Sequence, residues 1–358
     1  MSTRARLLAG VVGVGVAAAG GFVLDRTLAA RIRRQAAEAE GTPLGSVRGE
    51  ERTVKAEDGV DLYAELDERA PYTRTDDLPP RATLVFAHGF ALTLDCWHYQ
   101  RLAFRGTRRM VFYDQRSHGR SERSEPENAT IDQLGKDLLT VMDALAPDEK
   151  VVLVGHSMGG MSVVALAEQH PEMFGDRVVG VGLLSTTAGG MRAHKIVSRY
   201  VPDQLGRRVV ERGLLVAAHR ERLLEVARSR GSAFSLGIIH EFAFGKGKVP
   251  PEHTVFLEKM ISSTPLKVLV EFIPQFDTLD KFSVVKAFER VPTLIMCGTA
   301  DRLTSIGHSR KLHDHVDRSR LVELDGGGHM PILEFADEVN DNLEQLFAQA
   351  DELMSKPR

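Results

Sequence analysis

Cysteine, tryptophan and surplus charge are all scarce in this chain of 358 residues, and each scarcity removes a class of explanation. There are two cysteines, Cys96 and Cys297, far apart and without the paired spacing of a metal knuckle. They read as small buried hydrophobes, so no disulfide framework, metal site or cofactor is expected. The 46 basic and 49 acidic residues nearly cancel, leaving a net charge of -3 with no block of lysine or arginine. A nucleic-acid partner is therefore not expected. Repeats and low-complexity tracts are also lacking, while a hydrophobic content of 43% is ample for a core that needs no metal or disulfide.

Long apolar runs are lacking too, with one exception. Leu7 to Leu24 ("LLAGVVGVGVAAAGGFVL") carries no charge over 18 residues, between Arg4/Arg6 and Asp25/Arg26. As a helix it would span roughly 27 Å, close to the ~30 Å hydrocarbon core of a bilayer. Five glycines and four alanines keep it only weakly hydrophobic. The leading expectation is a membrane-anchored protein held by a single N-terminal helix within residues 1–24, with a slight lean to a cytoplasmic body. Two alternatives stand beside it. One is a secretory signal cleaved near Ala17-Ala18-Ala19, leaving a secreted protein, and the other is a segment with neither role. Oligomeric state is not legible.

Residues 25–52 read as a helical stalk and linker, closing in "GTPLGSVRGE". From Thr53 to Leu66, two strand-like runs flank the turn Glu57-Asp58-Gly59, a hairpin signal. Short apolar runs then alternate with helical stretches: Ala82–Ala87, Arg109–Tyr113, Val151–Val154, Val178–Leu184, Thr293–Cys297 and Leu321–Leu324. Fully apolar strands separated by helices predict an α/β fold with a mostly parallel central sheet flanked by helices on both faces. Between Leu184 and Thr293 the rhythm breaks into about a hundred residues of helical periodicity, read as an inserted helical cap. The expected division is 53–187 and 291–350 for the two parts of the core, 188–290 for the cap and 351–358 for a tail.

The run Val151–Val154 leads into Gly155-His156-Ser157-Met158-Gly159-Gly160. A bare G-x-S-x-G match is weak, and Gly307-His308-Ser309 repeats its central tripeptide elsewhere. The context distinguishes Ser157. A strand runs straight into it, a helix-like stretch follows, and glycines two before and two after permit a sharp turn that lifts the hydroxyl above the sheet edge. The competing reading is a serine that only caps the helix.

A serine nucleophile needs a base and a group to orient that base. The strand Thr293–Cys297 ends in "GTADRLT", placing Asp301 on a loop at the carboxyl edge of the sheet, where ligands collect in open α/β folds. After the last strand, "DGGGHM" puts His329 on a glycine-rich loop, while Asp325 beside it reads as a turn residue. Ser157, Asp301 and His329 are the expected catalytic residues. The oxyanion donors are expected to be the backbone N–H of Met158 and that of Phe90, in the loop His88-Gly89-Phe90 after the first core strand, with the His88 ring bonded within that loop.

Together, "HGF" at 88, "YDQRSHGRS" at 113, "GHSMGG" at 155, "GTADRLT" at 298 and "GGGHM" at 326 resemble the α/β-hydrolase superfamily, in the branch with a His-Gly-aromatic oxyanion loop, over roughly Thr53 to Ala350. The resemblance implies an esterase-like or lipase-like serine hydrolase with a cap. Serine at position 157, where epoxide hydrolases and haloalkane dehalogenases carry aspartate, argues against those members. Ser117 departs from the glycine common in related loops.

Seven of the 16 phenylalanines fall between Phe234 and Phe282, and Phe234, Phe242 and Phe244 are the candidates for an apolar acyl pocket in the cap. Residues 188–250 also carry 12 lysines and arginines against 5 acidic residues, a solvated face or a surface for lipid headgroups. The expected reaction is hydrolysis of a hydrophobic, small-molecule carboxylic ester. Thioester hydrolysis, acyl transfer, cofactor-free perhydrolysis and carbon–carbon bond hydrolysis are the alternatives on the same residues, and a ligand-binding protein without turnover is the alternative of another class.

Overall fold

The apolar runs form strands of one sheet, seen in a computed structural model that describes residues 41–70, 81–191 and 233–355. β1 (Glu50–Lys55) and β2 (Asp61–Asp67) are the hairpin read from the sequence, turning through Gly59 at φ 89. β3 (Thr83–Ala87), β4 (Met110–Tyr113), β5 (Val151–His156), β6 (Val178–Leu184), β7 (Thr293–Gly298) and β8 (Ser319–Leu324) complete an eight-stranded sheet in the order β1-β2-β4-β3-β5-β6-β7-β8. The pairs β1–β2 and β2–β4 are antiparallel and the other five are parallel. The chain steps outward from β3 to β4 and then returns to β5 on the other side of β3. The strand order thus reverses between β3 and β5, and the loops leaving their carboxyl ends diverge to open a crevice.

Continuous apolar strands are required because both faces of the sheet are covered. Leu84, Phe86, Val152 and Val154 pack in one cluster with Phe104 of α1 (His98–Phe104) and Leu343 and Phe347 of α9 (Ala336–Ser355). Their neighbours Val85, Leu153 and Val181 pack in another with Leu138 and Val141 of α2 (Ile131–Leu145) and Val163 and Leu166 of α3 (Met158–Gln169). This alternation is the period of two that a strand imposes. The helices start where the sequence provides for it. Thr130, for example, caps α2 by accepting the N–H of Gln133 at 3.1 Å.

Among the described residues, three helices, α4 (Ala233–Ala243), α5 (Pro251–Ser263) and α6 (Leu266–Thr278), stand between β6 and β7 in the chain and lie over the crevice. α7 (Ile306–Asp314) follows β7, and the short α8 (Pro331–Glu334) leads from the last loop into α9.

The expectation of a membrane-anchored protein is corrected. No helix among the described residues is long and apolar enough to cross a membrane. α9, at 20 residues, buries Val339, Leu343, Leu346, Phe347 and Ala350 on one face and carries acidic residues elsewhere, the pattern of a helix lying on a sheet. Leu7–Leu24, on which the expectation rested, lies outside the described residues, as do most of the stalk and residues 192–232 with most of the basic excess.

Candidate active site

β5 runs directly into Ser157, which sits at φ 52 and ψ −117, a conformation that L-residues rarely adopt. Two glycines make this turn feasible. A Cβ on Gly159 would lie 2.0 Å from the carbonyl oxygen of Ala87 in β3, and one on Gly155 would lie 2.5 Å from the backbone of Gly159. Strand and helix therefore approach more closely than any side chain allows. The turn is held by the Ser157 N–H donating to Leu184 O at 2.9 Å and by Thr186 Oγ1 donating to Ser157 O at 2.6 Å. The Ser157 side chain makes no capping bond to α3. Its Oγ instead lies 3.0 Å from Nε2 of His329. The repeated tripeptide is different: Ser309 is buried within α7, away from any strand-to-helix turn.

His329 comes from the glycine-rich loop after β8, and its Nδ1 lies 2.9 Å from Asp301 Oδ2. The other oxygen, Oδ1, accepts the backbone N–H groups of Leu303 at 2.8 Å and Thr304 at 2.9 Å. Burial alone would raise the Asp301 pKa, but His329 and these donors outweigh it, and the carboxyl is held below its ordinary value. Asp325 is exposed and bonds Thr299 Oγ1 at 3.3 Å, so it serves its own turn. The structure thus brings Ser157, His329 and Asp301 into one hydrogen-bonded line.

Two neighbours of this line were not singled out from the sequence. Thr304 Oγ1 lies 2.7 Å from Ser185 O, 3.0 Å from Asp301 Oδ2 and 3.2 Å from His329 Nδ1, pinning the acid loop to the end of β6. His156 Nε2 donates to His329 O at 2.8 Å, and burial pushes its pKa down to about 3, so it is a neutral strut beneath the His329 loop. Thr304 lies only three residues from Asp301, a spacing that could have signalled a local partner.

A cavity of about 300 Å³ opens onto Ser157 and His329. Phe90 and Met161 line it from the sheet side, Leu257 and Ile261 from α5, and Ile273 and Phe276 from α6. Its polar side chains are those of Ser157, His329, His156 and Thr304, and no charged side chain lines it among the described residues. Phe90 follows β3 on the pocket wall, and Met158 is the first residue of α3. One expected N–H donor thus belongs to a residue of the pocket wall and the other to the residue directly after Ser157.

Two of the three phenylalanines chosen from the sequence lie outside this lining. Phe244 is buried, with its ring 5.5 Å from that of His240, and its backbone lies against Gly328 of the base loop. Phe242 is half-buried, and neither residue lines the cavity. The side chain of Phe234 lies outside the described residues.

The alpha/beta hydrolase fold family matches residues 82–336. Among curated proteins, the chain is 22% identical to methylesterase 8 of Arabidopsis thaliana over 256 residues, covering 69% of this chain and 83% of that one. It is 25% identical to 3-oxoadipate enol-lactonase 1 of Acinetobacter baylyi over 248 residues, covering 68% and 80% respectively. Among solved structures it is similar to a thermophilic esterase from Thermogutta terrifontis, with a TM-score of 0.65 at 21% identity, covering 84% of this chain and 99% of that one.

Proposed function

The chain belongs to the alpha/beta hydrolase fold family and is a hydrolase; from that premise we propose that it cleaves carboxylic esters of apolar acyl groups through an acyl-enzyme on Ser157. His329 Nε2 takes the Ser157 proton as Oγ attacks the ester carbonyl, and Asp301 holds the imidazole and stabilises its charged form. The N–H groups of Phe90 and Met158 receive the oxyanion, each worth about 3 kcal/mol of barrier. Collapse of the tetrahedral intermediate expels the alcohol, which takes the proton back from His329. Water then repeats the sequence on the acyl-enzyme, releasing the acid and restoring Ser157.

The observation that carries this reading is the Ser157–His329–Asp301 line opening onto a pocket with no charged side chain among its described lining. A carboxylate or ammonium on the substrate would lose its hydration there without gaining a partner, so neutral, apolar acyl groups are favoured. A cavity of about 150 Å³ is known to hold benzene, so one of this size suits an acyl chain of about eight to ten carbons. A series of p-nitrophenyl esters from acetate to dodecanoate tests both points. Turnover should peak at medium chain length and vanish in Ser157→Ala, whose circular dichroism stays that of the parent. Turnover confined to acetate would refute the apolar pocket, and an active Ser157→Ala would refute the mechanism.

A further inference from the structure

We propose that His88, Gln115 and Ser162 form a buried positioning relay that aims the Phe90 oxyanion donor and ties its loop to the helix that begins at Met158, an inference that rests on the hydrolase reading above. The Gly89 carbonyl and the Phe90 N–H belong to one planar peptide and point in opposite directions. Whatever holds the carbonyl therefore aims the N–H. His88 Nδ1 lies 2.7 Å from Gly89 O, and the Leu92 N–H also donates to that oxygen at 3.2 Å. For His88 to donate there, its proton must sit on Nδ1. The backbone N–H of Gln115 enforces this by donating to His88 Nε2 at 2.9 Å, which leaves Nε2 as the acceptor. The ring stays neutral, because burial, with His118 and His156 nearby, pushes its pKa down to about 3.

The Gln115 side chain carries the relay to the nucleophile helix. Its Nε2 donates to His88 O at 2.5 Å, and its Oε1 accepts from Ser162 Oγ at 2.7 Å. Ser162 stands one turn after Met158 on α3, and its Oγ also lies 3.0 Å from Met158 O. His88, Gln115 and Ser162 are all essentially inaccessible to solvent. Three side chains thus join the Gly89–Phe90 peptide to the first turn of the nucleophile helix, fixing the direction of the Phe90 N–H and its spacing from that helix, while Thr186 holds the Ser157 carbonyl of the Met158 peptide. A glutamine is needed in the middle because one end must donate to a carbonyl while the other accepts from a hydroxyl.

Gln115→Met keeps the volume and deletes both side-chain bonds. The test compares it with the parent for kcat and KM on a p-nitrophenyl ester and for inhibition by an alkyl boronic acid, whose tetrahedral adduct on Ser157 places an oxygen at the oxyanion site. Removal of a whole donor costs about 100- to 1000-fold in kcat, so a misaimed one should cost roughly 10- to 100-fold, with boronic acid affinity weakened by a similar factor and KM within about twofold. A merely structural role would lower kcat only in proportion to the folded fraction and leave boronic acid affinity unchanged, and that result overturns the relay. If Gln115→Met does not fold, Ser162→Ala, which removes one oxygen from the far end, decides by the same two measurements. A parent protein with neither turnover nor labelling of Ser157 by a fluorophosphonate overturns the hydrolase reading and this inference together. An active parent whose variants keep its kcat and boronic acid affinity overturns this inference alone.

Discussion

Asp301 shows how much of the site one residue can decide. Its Oδ1 takes two backbone N–H groups and its Oδ2 faces His329, so in the proposed mechanism the carboxylate both holds its own loop and sets the tautomer of the base. Asp301→Asn should keep the loop, since an amide oxygen still accepts from Leu303 and Thr304, but it presents N–H to His329 Nδ1 and favours the wrong tautomer. The expected outcome is a fall in kcat of about 10⁴ with little change in KM, measured on a medium-chain ester, and a loss below tenfold would remove Asp301 from its proposed role. Residues of this kind were legible as candidates in the sequence because each follows a recognisable strand. Gln115 and Ser162 were not legible as partners. They lie 47 positions apart, and only the packing of the loop after β4 against α3 brings them to 2.7 Å.

The turn from β5 into α3 was legible as an element, because glycines at 155 and 159 have few other uses between an apolar strand and a helix. Its tightness can be tested directly. A methyl group on Gly159 would collide with the Ala87 carbonyl in β3, which is backbone and has little room to yield. Gly159→Ala should therefore destabilise the fold by about 3 kcal/mol, the upper end for overpacking, and lower the melting temperature by several degrees. A calorimetric scan matching the parent would show that the strand and helix are less tightly joined than this. The roof was harder to read. An abundance of phenylalanine marked the region, but which face of a helix looks down depends on how it docks. Phe276 of α6 lines the pocket, whereas Phe244 supports the base loop.

For the molecule as a whole, the α/β class and the run of parallel strands followed from apolar segments too short for helices and too continuous for one-sided sheets. The strand order did not follow, because nothing local tells the chain to place β4 outside β3 before returning to β5. Burial at this scale also sets the response to pH. Buried inside, His88, His118 and His156 have their pKa values pushed down to about 3, 4 and 3 from an ordinary 6.5. Below pH 6.5 the unfolded chain binds protons at these positions that the folded chain refuses, so their contribution to stability is present above 6.5 and lost as the pH falls toward 4. Asp114 acts in the opposite sense, since burial raises its pKa from 3.8 to about 7, and burial also raises Asp137 and Glu334, while His98, His253 and His308 are lowered like the three buried histidines. His118→Gln removes one of the three. Its melting temperature should lie below the parent's at pH 7, and the gap should narrow steadily toward pH 5, whereas a constant gap would show that His118 titrates alike in both states.

The contacts between the end of α4 and the base loop have a further consequence. The Met330 N–H donates to Ala243 O at 3.0 Å and the Lys246 N–H to Gly326 O at 2.8 Å, while Glu334 accepts the N–H groups of both Gly245 and Gly328. The roof and the base are therefore interlocked. The same bonds that hold the C-terminal end of α4 also seat the loop carrying His329. In the proposed mechanism, the roof and the base therefore keep their alignment through one shared set of backbone contacts.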